Sequence, residues 1–135
     1  MDELFLIGRV IFGGYFAYNG VNHFVNHATM AQFAAAKGVP MPEFSVMLAG
    51  ALILVGGLSI LFGLMPHVGS LCIALFLLVV TPAMHNFWVA TDAQQRLADM
   101  MNFMKNGALL GSVLMLYGVP VPWPYSLESR RPVVR

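Results

Sequence analysis

The chain is poor in charge. Only 10% of its 135 residues are Asp, Glu, Lys or Arg, against roughly 25% in a soluble domain. With 59% hydrophobic residues and a mean hydropathy of +0.75, it has too little polar surface to stay dissolved. It has one cysteine, Cys72, set among Leu71, Ile73 and Ala74. That excludes an intrachain disulfide and CxxC chemistry and leaves a small apolar packing residue. The seven basic residues are scattered and the net charge is +1, with no basic stripe, so nucleic acid is not expected as a partner. No nucleophile stands beside a base, and there is no Gly-rich phosphate loop and no metal-ligand spacing; a self-contained enzyme and an intrinsic cofactor or metal are not expected. The apolar runs lack paired carboxylates, which argues against an ion-driven transporter. Asp2 and Glu3 precede the first apolar stretch where a signal peptide would carry basic residues, and no A-x-A site follows, so that stretch is expected to persist as a helix.

What the chain does have is long apolar runs. Leu4 to Asn22, Phe44 to Leu64, His67 to Met84 and Met100 to Gly118 are each long enough to cross a hydrocarbon layer of ~30 Å as a helix. The predicted fold is an all-α membrane protein: a four-transmembrane-helix bundle with a short interfacial helix between helices 1 and 2. At this length it is one domain, divided into a membrane part, 1–119, and a Pro-rich basic C-terminal tail, 120–135. Between the first two runs, Met30, Phe33, Ala34 and Lys37 recur at helical spacing, predicting a helix over Ala28 to Lys37 with Met30 and Phe33 turned inward and an end at Gly38 and Pro40. If the spans alternate, both termini share a side with Arg9, Arg130, Arg131 and Arg135, opposite Lys37, Arg96 and Lys105. That slight excess of positive charge puts both termini in the cytoplasm.

Further expectations concern packing. Gly107 and Gly111 form a GxxxG, and Gly56, Gly57 and Gly63 line the second run, so helix backbones are expected to approach closely there. Arg9 stands near a span end and is expected to snorkel to the interface. Pro120, Pro122 and Pro124 alternate with Val121 and Trp123, predicting an extended stretch that places Trp123 and Tyr125 at headgroup level.

Alternation also brings polar groups together. Asn19, Asn22, His23, His85, Asn86, Lys105 and Asn106 all fall at span ends on one side. Lys105 lies about one turn inside its span, where an unpaired charge costs several kcal/mol, and Asn102 and Asn106 flank it. Pro82 frees the carbonyl of Leu78 as an acceptor near the same end. The expected ligand-binding set is Asn22, His23, His85, Asn86, Trp88, Lys105 and Asn106, with Lys105 and His85 in one cluster beside Asn22 or His23.

The order Gly20-x-x-His23-Phe24, Gly38-Val39-Pro40-x-Pro42, Gly56-Gly57, His85-Asn86-Phe87-Trp88 and Phe103-x-Lys105-Asn106-x-Ala108-Leu109-Leu110-Gly111 resembles the DoxX family of small four-helix membrane proteins, from Arg9 to Gly118. Two positions depart from the pattern: Ile53 stands where many relatives have an intramembrane glutamate, and His67 near a usual arginine. The resemblance implies an accessory, quinone-handling subunit of a membrane-bound oxidoreductase or respiratory assembly in a bacterial inner membrane. Its partners would be lipid and other subunits or further copies of the chain. Lys105, His85 and Asn106 would donate to quinone carbonyls, and Phe87 or Trp88 would pack on the ring. The alternatives are a structural subunit without its own site, or a carrier of a lipid or small amphipathic solute. Haem is disfavoured, because His23, His27 and His85 sit at span ends instead of deep in a bundle.

Overall fold

In the computed structural model, which describes residues 1–130, the chain forms five α-helices. They are α1 (Asp2–Val25), α2 (His27–Ala36), α3 (Pro42–Phe62), α4 (Pro66–Met84) and α5 (Ala93–Tyr117), followed by a short 3-10 turn at Glu128–Arg130. No strand occurs among the described residues. The boundaries follow from local chemistry. Asp2 and Glu3 sit in the first turn of α1, where carboxylates complement the helix dipole. Prolines open α3 and α4, at the one place in a helix where a missing N–H is harmless. Gly63 closes α3 in the left-handed region at φ 60°, and the Asp92 carboxylate caps α5 by accepting from the Gln95 amide at 2.7 Å.

Three helices, α1, α3 and α4, are long and apolar enough to cross a membrane. At 25 residues α5 is about 37 Å long, but Asn102, Lys105 and Asn106 dilute its apolar content and leave it outside that set. The helix also starts at Ala93, a full two turns before the apolar run at Met100.

Neighbours in the chain pack as neighbours in space: α1 lies along α3, α3 along α4, α4 along α5, and α2 over α3. The tightest seam is α1 on α3. A Cβ on Gly13 would stand 2.6 Å from the Leu61 amide nitrogen, and one on Gly20 2.6 Å from the Leu54 Cβ; Gly57 lies as closely against Ala17. The expected glycine packing on the second apolar run is therefore present. The expected GxxxG on α5 is not: Gly107 and Gly111 have nothing within contact of a Cβ and are exposed. Their spacing puts them on one helix face, and the structure turns that face outward.

α1 and α5 are not packed along their length; they are joined at one end by the tail. Arg9 is buried (2% exposed), with Nη1 and Nη2 donating to the carbonyls of Pro124 and Tyr125, each at 3.0 Å. Trp123 is wholly buried, donates through Nε1 to the Val119 carbonyl at 3.3 Å, and meets the Phe5 ring edge-on at 5.2 Å. The Leu127 amide donates to the Phe62 carbonyl at 2.9 Å. Two expectations are thus corrected. Arg9 does not snorkel, because tail carbonyls accept from both its terminal nitrogens inside the fold, and Trp123 fills the core instead of a headgroup layer. Tyr125 remains exposed. Arg131 and Arg135, counted above for topology, lie outside the described residues, and the Arg130 side chain is likewise not described.

The tail latch leads to a stability prediction. Trp123→Ala should cost about 3 to 5 kcal/mol, as for a large buried aromatic. Arg9→Leu should leave two carbonyls without donors and loosen the tail, so that chymotrypsin cuts at Tyr125 severalfold faster in detergent micelles. Cleavage at the wild-type rate in both variants would show that the latch does not hold the tail.

Candidate functional site

Away from the tail a cleft of about 600 Å³ lies between the helices, a size usual for small-molecule sites. Its walls are apolar, from Phe16 on α1, Val46 and Ile53 on α3, and Leu77 on α4. Polar side chains gather at one end: Asn19 and His23 from α1, His85 at the C-cap of α4, and Lys105 and Asn106 from α5. Phe33, Leu48, Leu75 and Val79 are at once wall residues and substantially exposed, so the cleft is reachable from outside the helices. Ile53, the departure from the usual glutamate, is buried at 1% exposure and keeps that wall free of charge.

α2 covers the same end. It spans His27–Ala36, close to the expected Ala28 to Lys37. Ala31 and Ala34 are its buried residues, packed on Val46 with Met30 partly covered beside them. Phe33 is 66% exposed and not turned inward as expected; the small alanines, not the aromatic, let α2 sit close to α3.

The charged centre of this end is one the sequence did not single out. Asp99 on α5 is 4% exposed. Lys37, just past α2, donates to Asp99 Oδ2 at 2.8 Å and to Asn86 Oδ1 at 3.2 Å. His85 Nδ1 stands 3.6 Å from Asp99 Oδ1, a close electrostatic neighbour beyond hydrogen-bond length. The pair joins the α2 loop to α5, elements 62 residues apart in sequence. Burial is the strongest single influence and would raise the Asp99 carboxyl, but the hydrogen bond and charge of Lys37, together with Gln95 and His85, outweigh it and hold the group below the usual carboxylate range. Burial also pushes the His85 imidazole below its ordinary value, against the attraction of Asp99.

Of the expected set, His23, His85, Lys105 and Asn106 line the cleft. Lys105 donates to Asn102 Oδ1 at 2.9 Å within its own helix, and His23 Nδ1 lies 2.7 Å from the Asn19 carbonyl. Asn22 points elsewhere, accepting from Asn26 Nδ2 at 2.5 Å. Asn86 lines a second, polar cavity of about 440 Å³ together with Lys37, Asp92 and Gln95. Trp88 is 54% exposed and meets Phe87 and Phe103 edge-on at 5.3 and 5.9 Å, away from the cleft lining. Lys37 and Asp99 read as ordinary loop charges in the sequence; the only signal was that Asp99 stands immediately before the fourth apolar run. Among the described residues no group of three or more His, Cys, Asp or Glu side chains could hold a metal ion.

The pair and the imidazole set a pH dependence. Asp99 has a depressed folded-state value, so its contribution is present above the ordinary carboxylate pKa of about 4 and is lost as pH falls through the folded value. His85 is likewise depressed, so the unfolded chain takes up a proton below about pH 6.5 while the folded chain resists, and stability falls there too. Thermal stability in detergent should therefore be highest above about pH 6.5 and decline in two stages on acidification, with His85→Gln removing the first. Lys37→Met, which strands the buried carboxylate, should cost about 1 to 3 kcal/mol near neutral pH. A wild-type curve flat between neutrality and pH ~4 would rule out this assignment.

Against known proteins, the DoxX family model matches residues 4–86, from α1 through the end of α4 and the first half of the His85-Asn86-Phe87-Trp88 element. No curated protein and no solved structure matches the chain. The matched span carries Gly20, His23, Gly56, Gly57 and His85 and covers more than half of the sequence, while Asp99 and Lys105 lie beyond it. A membrane protein of three apolar spanning helices, with α2 packed over the ends of α1 and α3 and the family's pattern running through all four, belongs to the DoxX family.

Proposed function

We propose that the chain is a quinone-handling subunit of a membrane-bound oxidoreductase assembly, and that its cleft holds the quinone. The observation that carries this reading is the polarity of the cleft: apolar walls from α1, α3 and α4 lead to an end where His23, His85, Lys105 and Asn106 converge. A quinone has that same division, a ring with two acceptor oxygens and a long apolar tail. Lys105 and Asn106 can donate to a ring carbonyl, and the exposed walls at Leu75 and Val79 give the tail a way out into acyl chains. In this reading α5 is a fourth span. Its length suffices, and its packing on α4 brings Lys105 to the cleft at the depth where Asn102 and the cleft's polar end receive its charge. The chain then sits in a bacterial inner membrane with both termini cytoplasmic, the polar end of the cleft facing the other side.

The same open walls favour a second reading, a carrier for a lipid or small amphipathic solute, in which the polar end takes a headgroup. A structural subunit needs only the Lys37–Asp99 clamp, and Lys105 separates it from both. Lys105 is exposed and bonded only within α5, so Lys105→Met should leave thermal stability and assembly unchanged. Removing a charged donor worth about 1.5 to 3 kcal/mol should weaken quinone binding about tenfold or more. Purification in mild detergent should yield quinone in roughly equimolar amount from the wild type and little from the variant. Phospholipid in its place would favour the carrier, and an empty cleft with unchanged assembly would leave the structural role.

A further inference from the structure

His85 lines one cavity, and its chain neighbour Asn86 lines a second of opposite character. The first is the apolar cleft, which His85 lines with Lys105 and Asn106. The second is the polar cavity walled by Lys37, Asn86, Asp92 and Gln95. Asp99 is buried, with one oxygen bonded to Lys37 and the other 3.6 Å from His85 Nδ1. That ring nitrogen is buried and has no hydrogen-bond partner. A buried polar atom without a partner costs about 1 to 3 kcal/mol, and here it lies just beyond bonding distance of a carboxylate fixed from its other side. Hydrogen bonds of this kind are commonly long in a ligand-free site and tighten when charge develops.

We propose that His85 and Asp99 form a proton-accepting dyad for the hydroxyl of a phenolic or quinol head group bound in the cleft. This deepens the reading of the cleft as a quinone site and rests on it. With Nδ1 turned to Asp99, Nε2 is the ring nitrogen left for the ligand. The step is an acid–base exchange with no electron moved: the ligand O–H bond breaks, its proton joins Nε2, and the ligand keeps the electron pair as a phenolate. The imidazolium then donates from Nδ1–H to Asp99, which closes the 3.6 Å gap and satisfies the unpartnered atom. Asp99 is a positioning residue, and Lys37 keeps it ionised and in place. The charged groups around His85 are Asp99 and Lys37 on one side and Lys105 on the other, with His23 in the same cleft. Lys105 stabilises the phenolate and does not take the proton. From the imidazolium the polar cavity beside Lys37 and Asn86 is the route to water.

A para-nitrophenol bearing a dodecyl chain tests this, because its yellow phenolate reports ionisation directly. In detergent near neutral pH, wild-type protein should retain the compound on ultrafiltration and raise its phenolate fraction at least threefold over compound in detergent alone. His85→Gln keeps a polar side chain of similar reach; it should retain the compound but return the phenolate fraction to the detergent value. Asp99→Asn should fall between. If no compound is retained by the wild type, the cleft reading fails and the dyad with it. If compound is retained but His85→Gln ionises it as the wild type does, the cleft reading stands and the dyad is wrong.

Discussion

The close seam between α1 and α3 governs the rest of the molecule. In a bilayer no hydrophobic drive brings helices together, so contact must come from packing, and packing is best where backbones can touch. Gly13, Gly20 and Gly57 remove the Cβ atoms that would hold the two helices apart. Once α1 is committed to α3, the remaining helices follow in a row, α3 to α4 and α4 to α5, and α1 and α5 are left without a long mutual face. The cleft is the geometric consequence of that open row.

Two polar devices then act at opposite ends. At the tail end, Arg9 donates through Nη1 and Nη2 to the carbonyls of Pro124 and Tyr125, and Trp123 fills the space beside Phe5. At the other end, Lys37 and Asp99 tie the α2 loop to α5 without filling the space between helices. One end is therefore packed shut and the other is held at its rim. An apolar core at both ends would leave no cavity, and a charge-rich core at both would be too costly to desolvate.

The division of labour among the polar residues follows from the same layout. Lys37, Asp99 and Asn86 bond to one another and act on the fold. Lys105 bonds only along its own helix, and His85 lines the cleft with its Nδ1 turned to Asp99 and unpartnered, so these two are not used up by the fold. Groups already satisfied by the protein stabilise it; groups not yet satisfied are the ones able to meet a ligand.

Helix identity and approximate extent were legible in the chain, because the length of an apolar run and its flanking prolines and glycines are local properties. The runs at Leu4, Phe44 and His67 correspond to α1, α3 and α4 within a few residues, and the short helix before Pro40 corresponds to α2. That His23, His85, Lys105 and Asn106 would gather was legible to the extent that polar groups at span ends must meet something polar, and the cleft brings those four together. Which face each helix turns inward was not legible. Gly107 and Gly111 share the spacing of a packing motif yet face outward, while Gly13 and Gly20 carry the contact. Arg9 and Trp123 read as interface residues because their partners lie more than a hundred positions away in sequence for one and in the N-terminal helix for the other. Lys37 and Asp99 are unremarkable where they stand in the chain. Only the fold, by laying α2 over α3 and α5 beside α4, brings them to 2.8 Å, since a charge pair is a property of distance in space and local sequence carries none of that information.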